Sequence, residues 1–298
     1  MTSKRKNIIA LGFFDGIHLG HQALMERTVT RAGEQGMDPA VFTFDRSPRE
    51  FITGIPIPLI TTVEDRQALI RSLFPIEKIF VGVFDQTMMT MHWRDYLHML
   101  VEKYDAGWLV AGHDFRFGHK NEGTVDLLQQ ECVALGLGCD IIPPVTVDGI
   151  NVSSSHIRTL LERGDVETAN RFLGYPFSVS GPVLHGKKLG RRLGVPTLNV
   201  HPHAGQLLPA YGVYVTRVWT ENEILPSVTG VGVRPTVDQN GGVTVESHLL
   251  GVDRILYGAE CRVEFLRLLR EEKRFDSLYA LQRQMEADIA QARAYFGI

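Results

Sequence analysis

The sequence predicts an α/β doubly wound parallel sheet over residues 1–174, followed by a small antiparallel β-barrel with a C-terminal helix over residues 175–298. Three observations carry this reading. At 298 residues the chain is long for a single core, and two domains divide it more naturally. Up to Leu173, short apolar runs alternate with stretches of helical period, the pattern of a parallel sheet with helices on its faces. Beyond Gly174-Tyr175-Pro176 the period shifts to the alternation of short half-buried strands at loop-length spacing.

Taken in order, buried strands are expected at Ile8 to Leu11, Ala40 to Phe44, Ile79 to Val83, Trp108 to Gly112 and Cys139 to Ile142. Helical period appears from Gln22 to Arg27, Val63 to Leu73, Trp93 to Lys103 and Asp165 to Leu173. In the second part, strand-like runs begin at Phe177, Val213, Val228 and Cys261. Asp276 or Ser277 can cap a last helix, in which Leu278, Leu281, Met285, Ile289, Ala292 and Phe296 recur at intervals of three and four, a stripe suited to packing on the barrel.

Composition narrows the function classes. Hydrophobic content of 44% and charged content of 22% are those of an ordinary globular protein, and a net charge of -3 gives no global reason to expect nucleic acid. Cys132, Cys139 and Cys261 form no CxxC pair, and an odd count without a secretory run suits a reducing compartment. No stretch approaches the roughly 18 apolar residues of a membrane span. A cytoplasmic protein with neither nucleic acid nor membrane as partner is expected.

The chemistry concentrates in four stretches. Phe14-Asp15-Gly16-Ile17-His18-Leu19-Gly20-His21 joins the first strand to the first helix. Gly16 and Gly20 allow close backbone approach, and a helix N-terminus is a natural seat for phosphate. His18 and His21, three apart, share a face if the helix has begun, and could donate to oxygens gaining charge in phosphoryl or nucleotidyl transfer. Zinc ligands or surface residues are equally compatible with that spacing. The loop after the fourth strand, Gly112-His113-Asp114-Phe115-Arg116-Phe117-Gly118, lies where doubly wound sheets bind ligands, although aromatic turn packing also explains it. Ser153, Ser154 and Ser155 can cap the run at Ile157, or hold a triphosphate together with Arg158. Finally, His185-Gly186-Lys187-Lys188-Leu189-Gly190-Arg191-Arg192-Leu193-Gly194 is a flexible cationic loop, suited to polyphosphate or simply solvated, and leads into Pro196-Thr197-Leu198-Asn199. If this last segment is a strand, Thr197 and Asn199 share one face and can offer oxygens to a magnesium nucleotide.

These stretches resemble the HxGH nucleotidyltransferases and, with the Pro-Thr-x-Asn signature, the bacterial bifunctional riboflavin kinase/FAD synthetases over nearly the whole chain. The resemblance implies a first domain that adenylylates FMN with ATP, giving FAD and pyrophosphate, and a second that phosphorylates riboflavin with ATP to FMN and ADP. It places the first nucleotide and flavin site at Gly12, Phe14, Asp15, Gly16, Gly20, Gly112, Asp114, Phe115, Ser153, Ser154, Ser155 and Arg158, with His18 and His21 catalytic. It places the second at His185, Gly186, Lys187, Gly190, Arg191, Gly194, Pro196, Thr197 and Asn199, with Thr197 and Asn199 toward Mg2+ and Glu246 as general base. Departures are Ser155 for the usual Thr, Asp45-Arg46-Ser47-Pro48 without the family's His-Pro pair, and Gly251-Val252-Asp253-Arg254 in place of an acidic Asp-Phe-Asp-Gly loop. A non-catalytic flavin or nucleotide binder on the same fold, and a zinc hydrolase using the two histidines, are the competing readings.

Overall fold

The Ile8-Ile9-Ala10-Leu11 run is apolar on both sides of the chain, and strand β1 (Asn7–Leu11) accordingly lies in the centre of a sheet with both faces covered. In the computed structural model, which describes residues 6–184, 194–221, 223–233, 243–252 and 256–298, the chain forms two compact units, Met1–Ser153 and Ser154–Ile298. The first holds five parallel strands, β1 with β2 (Asp38–Phe44), β3 (Lys78–Gly82), β4 (Ala106–Gly112) and β5 (Gly138–Ile142), in the order β3-β2-β1-β4-β5. All five expected strands are present.

Helix α1 (Leu19–Gln35) buries Leu24, Met25 and Ala32 against Ile8, Ala10 and Val41 on one face. On this face α3 (Val63–Leu73) adds Ile70. The opposite face, lined by Ile9, Leu11, Phe42 and Leu109, is covered by α5 (Trp93–Tyr104) and α6 (Val125–Leu135). Short helices α2 (Pro48–Thr53) and α4 (Gln86–Thr90) complete the unit, with a 3-10 turn at His119–Asn121 and a hairpin of β6 (Thr146–Val147) and β7 (Ile150–Asn151). Strand order reverses between β1 and β4, so the loops leaving their carboxyl ends diverge there and open a crevice.

The second unit begins with α7 (Ser154–Glu162) and α8 (Val166–Leu173), helices that precede the join expected near Tyr175. They are grouped with the barrel because α8 lies on its wall. Asn170 Nδ2 donates to the Phe265 carbonyl at 2.8 Å, its Oδ1 accepts from Phe177 N at 2.7 Å, and Phe172 and Leu173 are buried. Six antiparallel strands close the barrel: β8 (Ser178–Leu184), β9 (Leu198–Val200), β10 (Gly212–Trp219), β11 (Ile224–Val233), β12 (Val243–Leu249) and β13 (Glu260–Glu271), ordered β10-β11-β12-β9-β8-β13. Its interior contains hydroxyls as well as hydrocarbon. Thr216 bonds Ser227 and Thr229, and Thr229 bonds Ser247, at 2.6–2.7 Å, so each buried hydroxyl has a partner.

Helix α9 (Leu278–Phe296), capped by Ser277, packs Ile289, Ala292 and Phe296 onto Val215, Val228 and Leu250. The expected stripe starts after the first turn, since Leu278 is 60% exposed. A partly buried ion pair secures the helix: Arg270 Nε and Nη2 donate to the buried Asp288 carboxylate at 2.9–3.1 Å.

Candidate active sites

The turn between β1 and α1 is built under backbone strain. Phe14 and Ile17 take positive φ (58° and 33°), unusual for non-glycine residues, and their fully buried side chains hold them there. Gly16, at φ 84°, sits in the same turn, where an added Cβ would lie 3.0 Å from Ile60. Asp15 Oδ1 accepts from Thr61 N at 3.0 Å, and Gly16 N donates to Thr61 Oγ1 at 3.0 Å, pinning the turn to the segment that leads into α3. At Gly12 a Cβ would meet the Phe14 ring at 2.9 Å.

His18 is the N-cap of α1, its Nδ1 accepting from His21 N at 3.3 Å. An accepting Nδ1 assigns the ring proton of neutral His18 to Nε2, leaving that atom as a donor. The two imidazoles stack, with centroids 3.6 Å apart and planes 16° apart, and the Phe14 ring meets His21 edge-on at 5.2 Å. Burial first, then His18 and Arg66, hold the His21 pKa well below the ordinary histidine value, so its ring is neutral at pH 7. Its Nδ1 is buried and finds no hydrogen-bond partner among the described residues.

The predicted loop after β4 lies at this end of the sheet. After β4, Phe115 N donates to Gly112 O at 3.1 Å and the Phe115 and Phe117 rings stack, leaving Asp114 exposed beside Gly112. Gly118 is required by space as well as by its φ of 74°, because a Cβ there would lie 2.6 Å from the Trp93 backbone. The chain at Val152, immediately before Ser153, passes close to the helix start, its carbonyl 3.9 Å from a Cβ built at Gly20. Ser153 is exposed, whereas Ser154, Ser155 and Arg158 form the first turns of α7 in the second unit. Among the described residues, no three His, Cys, Asp or Glu side chains are grouped to hold a metal, so the zinc reading of His18 and His21 lacks a third ligand.

In the barrel, alternation along β9 buries Leu198 and Val200 and turns Asn199 the other way. Along β12 it buries Val245, Ser247 and Leu249 and leaves Glu246 and His248 half-buried. Asn199 and Glu246 are direct cross-strand partners, and Thr197 Oγ1 donates to Glu246 Oε2 at 3.4 Å. Three oxygen-bearing side chains therefore gather on one patch of the wall. His248 Nδ1 lies 2.8 Å from Pro196 O and ties the segment before β9 to β12. Gly194, at φ 78°, is exposed just before it, while His185, Gly186, Lys187, Gly190 and Arg191 lie outside the described residues.

The family model for FAD synthetase matches residues 1–156 and that for riboflavin kinase residues 173–296. A bifunctional riboflavin kinase/FMN adenylyltransferase from Pseudomonas fluorescens is 38% identical over 96% of this chain and 92% of its own length. One from Bacillus subtilis (strain 168) is 32% identical over 98% of this chain and 93% of its own. The chain belongs to the bifunctional riboflavin kinase/FMN adenylyltransferase family. Its architecture also matches a crystal structure described as a macrolide-efflux protein from Streptococcus pneumoniae, with a TM-score of 0.87, 27% identity, and coverage of 98% of this chain and 95% of that one. No helix among the described residues is long and apolar enough to cross a membrane.

As a riboflavin kinase/FMN adenylyltransferase, the chain departs from the usual His-Pro pair in a structurally explicit way. Ser47 is buried and caps α2, accepting from Glu50 N at 3.3 Å, with Pro48 opening the helix. Sequence reading missed Thr61 and Arg66, both touching the turn after β1 from α3 or its approach, and His248 on β12. Thr61 lies outside the periodic runs, and an arginine within a helical pattern carries no local sign of burial.

Proposed function

We propose that the barrel domain, residues 175–298, transfers the γ-phosphoryl of ATP to riboflavin, giving FMN and ADP, and that residues 1–174 then join AMP from a second ATP to FMN, giving FAD and pyrophosphate. The observation that carries this reading is the gathering of Thr197, Asn199 and Glu246 on one patch in a chain that also places stacked His18 and His21 at a helix N-terminus. Glu246 accepts the proton of the terminal ribityl hydroxyl as that oxygen attacks the γ-phosphorus. In the second reaction an oxygen of the FMN phosphate attacks the α-phosphorus of ATP and pyrophosphate leaves. His18 donates through Nε2 to oxygens that gain negative charge, and neutral His21 adds a second donor without repelling His18.

Thr197 and Asn199 offer hydroxyl and amide oxygens beside Glu246, donors of the kind magnesium accepts, and their small number suits an ion that keeps water and phosphate ligands. When bound, Mg2+ would neutralise charge on the transferring phosphates. Substrates of this kind and the free thiols of Cys132, Cys139 and Cys261 fit a cytoplasmic enzyme. The test is chromatography of riboflavin incubated with the protein, ATP and magnesium. FMN should appear first and FAD after it, and an unchanged riboflavin peak would refute the reading.

A further inference from the structure

Arg66, on α3, has no exposed surface, yet Asp15 and Glu64, the carboxylates that favour its charge, do not outweigh the effect of burial. Burial lowers its pKa to about 10, which leaves the guanidinium charged at pH 7. One nitrogen is used: Nη1 donates to Thr43 Oγ1 at 3.1 Å and to Phe44 O at 3.4 Å, both at the carboxyl end of β2. The Thr43 hydroxyl in turn donates to Phe13 O at 2.8 Å, and the guanidinium carbon stands 4.3 Å from the centroid of the Phe13 ring. Nε and Nη2 are buried and find no hydrogen-bond partner among the described residues. Each unpaired donor of this kind costs about 1–3 kcal/mol. An arginine serving only as an anchor would be poorly chosen, because an uncharged side chain could fill the space without that penalty.

We propose that Arg66 is a positioning residue for adenylyl transfer, a buried cation that locks the Phe13-to-His21 turn against β2 and supplies fixed positive charge behind the helix N-terminus that receives phosphate. The proposal rests on the assignment of His18 and His21 to that reaction. Fixed charge oriented before the substrate arrives stabilises developing negative charge without reorganisation. It also opposes protonation of His21. The charged and titratable groups acting on this pair are His18 from the cap of α1, Asp15 from the turn, Arg66 from α3 and Glu64 beside it. With Arg66 in place, the His21 ring stays neutral and can stack on His18 without like-charge repulsion.

The experiment compares the full chain with Arg66→Met and Arg66→Lys. It follows FAD formation from FMN across pH 5 to 8, together with the imidazole NMR titration of His21 without ligand. FMN formation from riboflavin in the same samples reports that the second domain is intact, and circular dichroism that the first is folded. In Arg66→Met, kcat/KM for FAD formation should fall at least about tenfold, and the His21 titration and the acidic limb should move to higher pH, as expected on losing a nearby like charge. Arg66→Lys should keep the titration near the parent value while losing part of the rate. An unmoved His21 titration in Arg66→Met, or FAD formation at the parent rate, overturns the proposal. So does a parent His21 that titrates near 6.5, a measurement that needs no variant. If instead the titration moves but His21→Ala makes FAD normally, Arg66 acts as described and the catalytic assignment of His21 is what fails.

Discussion

Replacing Glu246 with glutamine removes one proton-accepting oxygen while preserving the shape of the side chain. The structure predicts that the consequence is kinetic. Glu246 is half-buried on the side of β12 opposite the core residues Val245 and Ser247, so no packing is lost. The hydrogen bond it accepts from Thr197 Oγ1 is long at 3.4 Å, and a glutamine oxygen can still accept it. The effect on stability should therefore stay within about 0.5 kcal/mol, the range of surface substitutions. A positioned general base contributes about 10²–10⁴ in rate, and the lower figure corresponds to about 2.7 kcal/mol of barrier. FMN formation from riboflavin should thus slow by roughly two orders of magnitude or more, with ATP affinity little changed. FAD formation from added FMN in the same sample provides the control, because the first domain is untouched. A variant that phosphorylates riboflavin at the parent rate would show that Glu246 is structural and that another group takes the proton.

His21→Ala should reduce FAD formation from FMN by at least about tenfold, as for loss of a transition-state donor, and leave FMN formation intact; equal loss of both, with the fold preserved, would refute the assignment. Because folding lowers the His21 pKa, the unfolded chain takes the proton first as pH falls below about 6.5. The contribution of this group to stability is therefore present at neutral pH and lost on acidification, and a melt of the first domain should show a pH dependence between 5 and 7 that His21→Ala reduces. Asp288→Ala removes the carboxylate that accepts from Arg270 Nε and Nη2 at the seat of α9 and should destabilise the second domain by about 1.5–3 kcal/mol, read as a lower midpoint in urea. A fragment beginning at Ser154 should melt higher than one beginning at Tyr175, since the shorter piece loses buried Phe172 and Leu173 and the Asn170 bridge to Phe265; equal midpoints would show that α7 and α8 add nothing to the barrel.

Periodicity alone located the five strands of the sheet, because a strand covered on both faces must be apolar throughout, as in Ile8-Ile9-Ala10-Leu11. It also placed the last helix and a strand at Leu198-Asn199, although β9 begins only at Leu198, so Thr197 reaches Glu246 from the segment just before it. The patterns fail where stabilisation comes from afar. Helix α6 carries a mixed surface whose apolar face is recognised only once Leu128 and Cys132 meet the sheet. The join near Tyr175 follows the change of period, whereas the compact units part at Ser153, because Asn170 reaches a carbonyl 95 residues later in the chain. The pairing of Glu246 with Asn199 depends on barrel register, and the burial of Arg66 on Thr43, Phe44 and Phe13. Local sequence determines which faces are apolar and which residues can cap or turn. Contacts between residues distant in the chain decide which polar groups are drawn out of water together, and that step produces the candidate sites.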